Sequence, residues 1–248
     1  MIEELHIAAQ YLAAAGVSFL EKKEDDSHTN LEWSVNNAEL STWPLTEGGD
    51  QLALNYNNFS LVWISAGKRE ELPLDGISHE VAMKWINEMA QARGLNKTYQ
   101  YKLHYELPYP FPQNADQFQL KDKKELESMI GLMNMAQGAM EKALNHHGLK
   151  SGIRVWPHHF DLGAFAQVDD SISIGFGMAI PDSSINDFYF YVSGYRGHDA
   201  LETKDFNPLS HGEWQKGDWK AATLKASESN EAIAQGFLNE AINAFING

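Results

Sequence analysis

The side chains that could carry out chemistry are concentrated in residues 155–163, which read VWPHHFDLG. In an extended strand, Trp156 and His158 point to one face. His159 and Asp161 point to the other face. His158 then lies among bulky apolar neighbours, where burial favours the neutral imidazole and requires a hydrogen-bond partner. The segment therefore predicts either a core histidine with a partner or a histidine at a functional site.

Two pairings of these residues suggest acid–base chemistry. His159 and Asp161 can form a pair in which the carboxylate fixes the tautomer of the imidazole. The alternative is an ordinary surface pair, which contributes less than about 1 kcal/mol. His158 and Asp161 are the candidate catalytic residues of an enzyme. Because they point to opposite faces of a strand, direct pairing requires a bulge that redirects one of them.

A metal site is a further hypothesis for the same segment. His159 and Asp161 can supply two ligands, and His146 or His147, at the end of the preceding helix, can supply a third. The sequence contains no HExxH pair or other diagnostic ligand spacing. Whether any metal or other cofactor binds therefore stays open.

Apolar and aromatic residues around the polar pair also suggest a ligand pocket, because such pockets combine apolar walls with a few polar groups. The candidate ligand-binding residues are Trp156, His158, Asp161 and Tyr191. Tyr191 belongs to a series of alternating tyrosines that either lines a polar-tipped cleft or forms cross-strand pairs in the core. The leading hypothesis is a small-molecule-binding protein with a cleft near this strand. The alternatives are a metal-assisted or acid–base enzyme and a non-catalytic protein-interaction module.

Hydrophobic periodicity predicts an α+β chain of two similar halves, residues 1–112 and 113–248, packed as one compact unit. Each half is expected to contain an antiparallel sheet backed by helices, which raises the hypothesis of an internal duplication. The predicted helices cover residues 3–20, 77–94, 123–147 and 230–247. The predicted strands cover residues 30–35, 39–43, 51–57, 59–65, 99–107, 153–166, 171–178, 187–193 and 219–225.

Local signals refine some of these elements. The first helix has the pattern of an amphipathic surface helix, with His6 and Gln10 between its apolar positions. Ser78 is the predicted N-cap of the second helix, and Gly94 its C′ residue. The joint between the halves is expected in YPFPQNADQF, residues 109–118, because prolines favour extended, irregular backbone.

Composition argues against several classes of protein. The chain has 19 basic and 34 acidic side chains and a net charge of −15, which argues against binding to nucleic acid. The lack of cysteine excludes disulfides, thiolate catalysis and Cys-ligated metals. The first charges, Glu3 and Glu4, oppose a secretory signal, and no apolar run reaches the ~20 residues of a membrane span. We therefore expect a cytoplasmic protein whose partner is a small-molecule ligand, with the oligomeric state open.

The segment around His158 resembles the characteristic motif of an uncharacterised, mostly bacterial protein family. This family is a domain of unknown function and carries the motif His-x-Phe-Asp-Leu. The matching residues are His158, Phe160, Asp161 and Leu162. Pro157 and His159 depart from the relatives, which tend to have an aromatic and a small residue there. The resemblance therefore supports His158 and Asp161 as candidate site residues more than it supports His159. Because the family has no established activity, it implies kinship of fold and nothing about substrate.

Overall fold

The computed structural model describes residues 1–110, 112–215 and 217–247. They form an α+β chain with four α-helices and two antiparallel sheets, which confirms the predicted fold class. The helices are α1 (Ile2–Phe19), α2 (His79–Ala92), α3 (Lys123–His147) and α4 (Glu231–Asn247). None of these helices is both long and apolar enough to cross a bilayer.

The first sheet contains five strands in the order β1-β2-β3-β4-β5. Its strands are β1 (Glu32–Ser34), β2 (Glu39–Ser41), β3 (Gln51–Asn55), β4 (Ser60–Ser65) and β5 (Lys68–Pro73). The second sheet contains seven strands in the order β11-β12-β9-β8-β7-β6, with β10 paired to β9. Its strands are β6 (Arg154–Trp156), β7 (Asp161–Gln167), β8 (Ile172–Ala179), β9 (Tyr189–Arg196), β10 (Asp199–Ala200), β11 (Glu213–Trp214) and β12 (Ala222–Lys225).

The chain divides into two units, each formed from two segments. The first unit comprises Met1–Ile130 and Val155–His158, and the second comprises Gly131–Arg154 and His159–Gly248. The sheets differ in strand number, and the internal duplication is not confirmed. Phe111, in the predicted proline-rich joint, lies outside the described residues.

In the first unit, α1 is a core helix rather than the expected surface helix. Its apolar residues are buried, but so are the polar side chains of His6 and Gln10, which are 1% and 0% exposed. A helix that is buried nearly all round must find hydrogen-bond partners for such side chains. The predicted surface position of His6 and Gln10 is therefore wrong.

The segment after α2 departs from its prediction as well. Ser78 caps α2 as predicted, accepting a hydrogen bond from the Val81 backbone, and Gly94 follows the helix with a φ of +75°. Residues 99–107, however, form irregular backbone and not the predicted strand. Tyrosines at alternate positions of this irregular segment donate hydrogen bonds to buried residues of α1. The alternating sequence pattern therefore occurs here without a β-strand.

The second sheet has two chemically different faces. One face is formed by large apolar residues such as Phe176 and Phe190, and α4 packs on strands β8, β9 and β12. The register places Tyr191 opposite Gly177, and Gly177 opposite Gly163, on the other face. That second face therefore combines glycines with aromatic and polar side chains, and it carries Asp161 at the start of β7.

Candidate functional site

The WPHHFD segment forms a turn where a continuous strand was predicted. Strand β6 ends at Trp156, residues 157–160 form the turn, and β7 begins at Asp161. Phe160 is buried and has a φ of +56°, a left-handed conformation that ends the extended geometry. Pro157 has no N–H to donate to a sheet. The predicted alternation of His158 and His159 across two strand faces is therefore wrong.

The same type of turn occurs twice in the first sheet. Residues 35–38 and 56–59 also form four-residue turns whose last residue, Ala38 or Phe59, has a positive φ of 50° or 47°. Their central residues are Asn-Asn pairs, where residues 157–160 have His158 and His159. The conformation of the HHF sequence thus belongs to a recurring hairpin turn, which needs no ligand to explain it.

His158 lies near two aromatic rings of the first unit. Its ring centroid lies 5.6 Å from that of Tyr105 and 6.2 Å from that of Trp156. The structure therefore brings together two of the predicted ligand-binding residues, Trp156 and His158. His158 belongs to the first unit and Asp161 to the second.

Helix α1 holds the backbone beside His158 through two side chains that no sequence motif indicates as site residues. His6 Nε2 donates to the Pro157 carbonyl at 2.7 Å, and Gln10 Nε2 donates to the same oxygen at 2.9 Å. Because His6 Nε2 carries the proton, His6 Nδ1 accepts from the Tyr109 hydroxyl. Gln10 Oε1 accepts from the Tyr105 hydroxyl at 2.6 Å. These bonds attach the irregular tyrosine segment and Pro157 to α1.

In the second unit, Asp161 and Tyr191 form a direct hydrogen bond. The Tyr191 hydroxyl donates to Asp161 Oδ2 at 2.5 Å across 30 residues of sequence. Burial raises the pKa of the Asp161 carboxyl, against the effects of the Tyr191 hydrogen bond and the nearby His159. Burial, followed by the Asp161 charge, also raises the pKa of Tyr191. Both residues were candidates for ligand binding, and the fold brings them together.

Gly177 makes this contact possible. Tyr191 on β9 is paired with Gly177 on β8, so its side chain must cross β8 to reach Asp161 on β7. A Cβ atom at Gly177 would lie 3.0 Å from the Tyr191 hydroxyl and 2.9 Å from Gly163 Cα, and it would overlap the Leu162 carbonyl oxygen. The tyrosine therefore reaches the carboxylate over a position that only glycine can occupy.

Trp219 completes the aromatic part of this site. Its ring centroid is 6.1 Å from that of Tyr189 and 6.3 Å from that of Tyr191. Tyr189 repeats the arrangement of Tyr191, since its hydroxyl donates to Asp182 Oδ2 at 2.6 Å. In the second unit, the tyrosine rings of two tyrosine–carboxylate pairs thus contact one tryptophan ring. Three of these residues were not among the candidates predicted from the sequence: Tyr189, Trp219 and Asp182.

The proposed metal ligands lie in different surroundings. His159 is exposed in the turn, whereas His147 lies in the last turn of α3. Burial, followed by the charge of His146, lowers the pKa of His147. Within residues 1–110, 112–215 and 217–247, no group of three or more His, Cys, Asp or Glu side chains is placed to hold a metal ion.

Replacing Asp161 with asparagine should stabilise the fold at neutral pH. Since burial raises the pKa of Asp161, the folded state holds this proton more tightly than the unfolded chain, and ionisation opposes folding. The free energy of unfolding, measured in guanidinium, should be higher for Asp161→Asn than for the unmodified protein. This difference should appear as the pH rises above about 3.9, the ordinary pKa of aspartate, and should be complete above the raised pKa of Asp161.

Asp169→Asn provides the control with the opposite sign. Hydrogen bonds from the Ser171 and Ile172 backbone, and then from the Ser171 hydroxyl, lower the pKa of Asp169. This carboxylate therefore stabilises the fold above the ordinary aspartate pKa, and the contribution disappears as the pH falls through the lowered value. If the free energy of unfolding of the two variants changed with pH in the same way, relative to the unmodified protein, this would contradict the assignment of Asp161 as a desolvated carboxyl.

The chain matches no protein-family model, no curated protein and no solved structure at a significant level, which is consistent with an uncharacterised family without an established activity.

Proposed function

We propose that the protein binds a small molecule in a cavity of the second unit. The cavity has a volume of about 650 Å³, and this is the observation that carries the proposal. Sites for small molecules commonly have volumes of roughly 300–1,000 Å³ and combine apolar walls with a few polar groups. The described lining residues include Phe206, Leu209 and Trp214 among the apolar side chains, and Glu202 and Lys220 among the charged ones.

The apolar wall of the cavity is held rigidly. Phe206 and Trp214 pack edge to face with centroids 5.0 Å apart, and Phe245 of α4 lies 5.3 Å and 5.5 Å from them. Trp214 Nε1 donates to the Asn207 carbonyl at 2.9 Å, which fixes the orientation of the indole. A preformed aromatic wall reduces the conformational entropy that a ligand must overcome. This favours binding of a molecule with an apolar part.

The polar side of the cavity is an ion pair. Lys220 Nζ lies 3.5 Å from Glu202 Oε2 and donates to the Gly217 carbonyl at 3.1 Å. Exposed ion pairs contribute little to stability, so a ligand group can replace one of the partners at small cost. The cavity is lined by residues of the 202–220 region, whereas the sequence pattern favours a cleft near the WPHHFD strand.

The test is a ligand-observed NMR screen of a mixture of small carboxylates, amines, sugars and nucleosides. Compounds that show saturation transfer should lose it in Leu209→Trp, because the larger side chain fills the cavity. Val81→Trp, on the exposed face of α2, is the matched control and should retain the signals. Native mass spectrometry of the purified protein adds a search for a ligand that copurifies. Signals that persist in a folded Leu209→Trp variant would exclude this cavity as the binding site.

A further inference from the structure

The two tyrosine–carboxylate pairs lie side by side on the glycine-containing face of the second sheet. Tyr189 and Tyr191 are two residues apart on β9, so both side chains point to the same face. Their hydroxyl groups donate to Asp182 and Asp161, respectively, at 2.6 Å and 2.5 Å. Asp182 Oδ1 also accepts hydrogen bonds from the Ser184 and Ile185 backbone N–H groups, at 2.7 Å and 2.9 Å. Since an ionised carboxylate has about four acceptor sites, each carboxylate retains capacity to accept a further hydrogen bond.

Trp219 provides an accessible aromatic surface next to the two tyrosines that donate to these carboxylates. Its ring contacts both tyrosine rings at angles of 73° and 50°, yet the residue is 37% exposed. The face of an indole ring carries negative electrostatic potential and is the most favourable aromatic surface for a cation. The carboxylates that accept from the two tyrosines add negative charge to this part of the sheet, which also favours a cation.

The charge around the two carboxylates is not balanced by lysine or arginine. Across the described parts of the chain, neither Asp161 nor Asp182 forms an ion pair with a lysine or arginine side chain. His159 is the basic group that affects Asp161. Hydrogen bonds from Tyr189 and from the Ile185 and Ser184 backbone lower the pKa of Asp182, against the effect of burial, so this carboxylate is ionised at neutral pH.

Ser193 adds an independent observation on the same sheet face. It follows Tyr191 by two residues on β9 and lies opposite Gly175, and it is 2% exposed. Its Oγ is buried, with no hydrogen-bond partner among the described residues. Buried hydroxyl groups normally have a partner, so Ser193 is an unsatisfied polar group on the same sheet face as the two tyrosines.

From this arrangement we propose that Trp219, Asp161 and Asp182 form a binding site for a small organic ammonium ion. The positive nitrogen lies against the face of Trp219, and its N–H groups donate to the carboxylates that the tyrosines orient. These residues do not line the 650 Å³ cavity, so the inference is independent of the function proposed above.

The experiment compares butylammonium with 1-butanol, a neutral molecule of similar shape. Each is titrated into ¹⁵N-labelled protein while the indole N–H signals are followed, and Trp219→Leu identifies the Trp219 signal by its loss. Butylammonium should shift that signal, whereas 1-butanol should leave it unchanged. Trp219→Leu and Asp182→Asn should each weaken butylammonium binding in calorimetry, by roughly five- to thirtyfold.

Phe165→Ala is the matched control, because Phe165 is an exposed aromatic residue on the same sheet that contacts Tyr195 instead of Trp219. It should bind butylammonium like the unmodified protein. Equal binding of butylammonium and 1-butanol, or unchanged binding by a folded Trp219→Leu variant, would overturn the proposal. Neither result would affect the cavity, since Leu209→Trp tests it separately.

Discussion

Gly177→Ala should lower the free energy of unfolding by roughly 3 kcal/mol or more, because a methyl group at this position collides with backbone. The new Cβ would overlap the Leu162 carbonyl oxygen and lie 2.9 Å from Gly163 Cα. Neither atom can move away without separating β7 from β8. The variant also displaces the Tyr191 hydroxyl, 3.0 Å from the new atom, and so weakens its bond to Asp161.

Gly175→Ala is the matched control on the same strand and the same face. Its Cβ would meet the Phe165 side chain at 3.4 Å, which is an ordinary contact, and nothing closer. Thermal unfolding followed by circular dichroism should show Gly177→Ala about 6–12 °C below the unmodified protein, and Gly175→Ala close to it. Similar melting temperatures for the two variants would show that Tyr191 does not depend on a glycine at 177 to cross the sheet.

Elements with strong local signals were predicted accurately. Helix α3 covers Lys123–His147, the predicted range, because its apolar residues recur at three- and four-residue steps over seven turns. The limits of α2 follow from Ser78, which accepts a backbone hydrogen bond at the N-terminus, and from Gly94, which adopts a positive φ after the helix. These features depend on residues close in sequence, so a single sequence is sufficient to locate them.

The WPHHFD turn shows where a strand pattern misleads. Alternation across residues 153–166 favoured one strand, but Phe160 adopts a left-handed conformation, which is uncommon for a bulky residue. The signal that could have corrected the prediction is the similarity of PHHF to YNNF at residues 56–59, where an Asn-Asn pair indicates a turn. Strand β5 was missed because its charged, exposed residues have no apolar alternation.

The candidate site was predicted only in part, for a topological reason. Asp161 and Tyr191 could be selected by residue type, but their hydrogen bond depends on the register of three strands and on Gly177. Trp219 reaches the tyrosines from the segment that precedes β12, and its sequence neighbours give no indication of this contact. Long-range pairings of this kind are decided by tertiary packing, which periodicity does not encode.

Gln10→Leu should destabilise the first unit by about 2–4 kcal/mol, although leucine is a good helix former of similar size. Gln10 is fully buried and accepts a hydrogen bond from the Tyr105 hydroxyl at 2.6 Å. It also donates to the carbonyl groups of His6 and Pro157, each at 2.9 Å. Leucine forms none of these hydrogen bonds. The Pro157 carbonyl keeps the His6 donor, but the Tyr105 hydroxyl loses its partner in a partly buried position.

A double-mutant cycle with Tyr105→Phe separates this cost from a packing effect. Tyr105→Phe removes the hydroxyl that Gln10→Leu leaves without a partner. The loss in free energy of unfolding of the double variant should therefore be about 1–2 kcal/mol smaller than the sum of the losses of the two single variants. Gln91→Leu, on an exposed position of α2, is the control and should change the free energy of unfolding in guanidinium by less than about 0.5 kcal/mol. Strict additivity of Gln10→Leu and Tyr105→Phe would mean that the tyrosine segment is held by apolar packing and that its hydrogen bond to α1 contributes nothing.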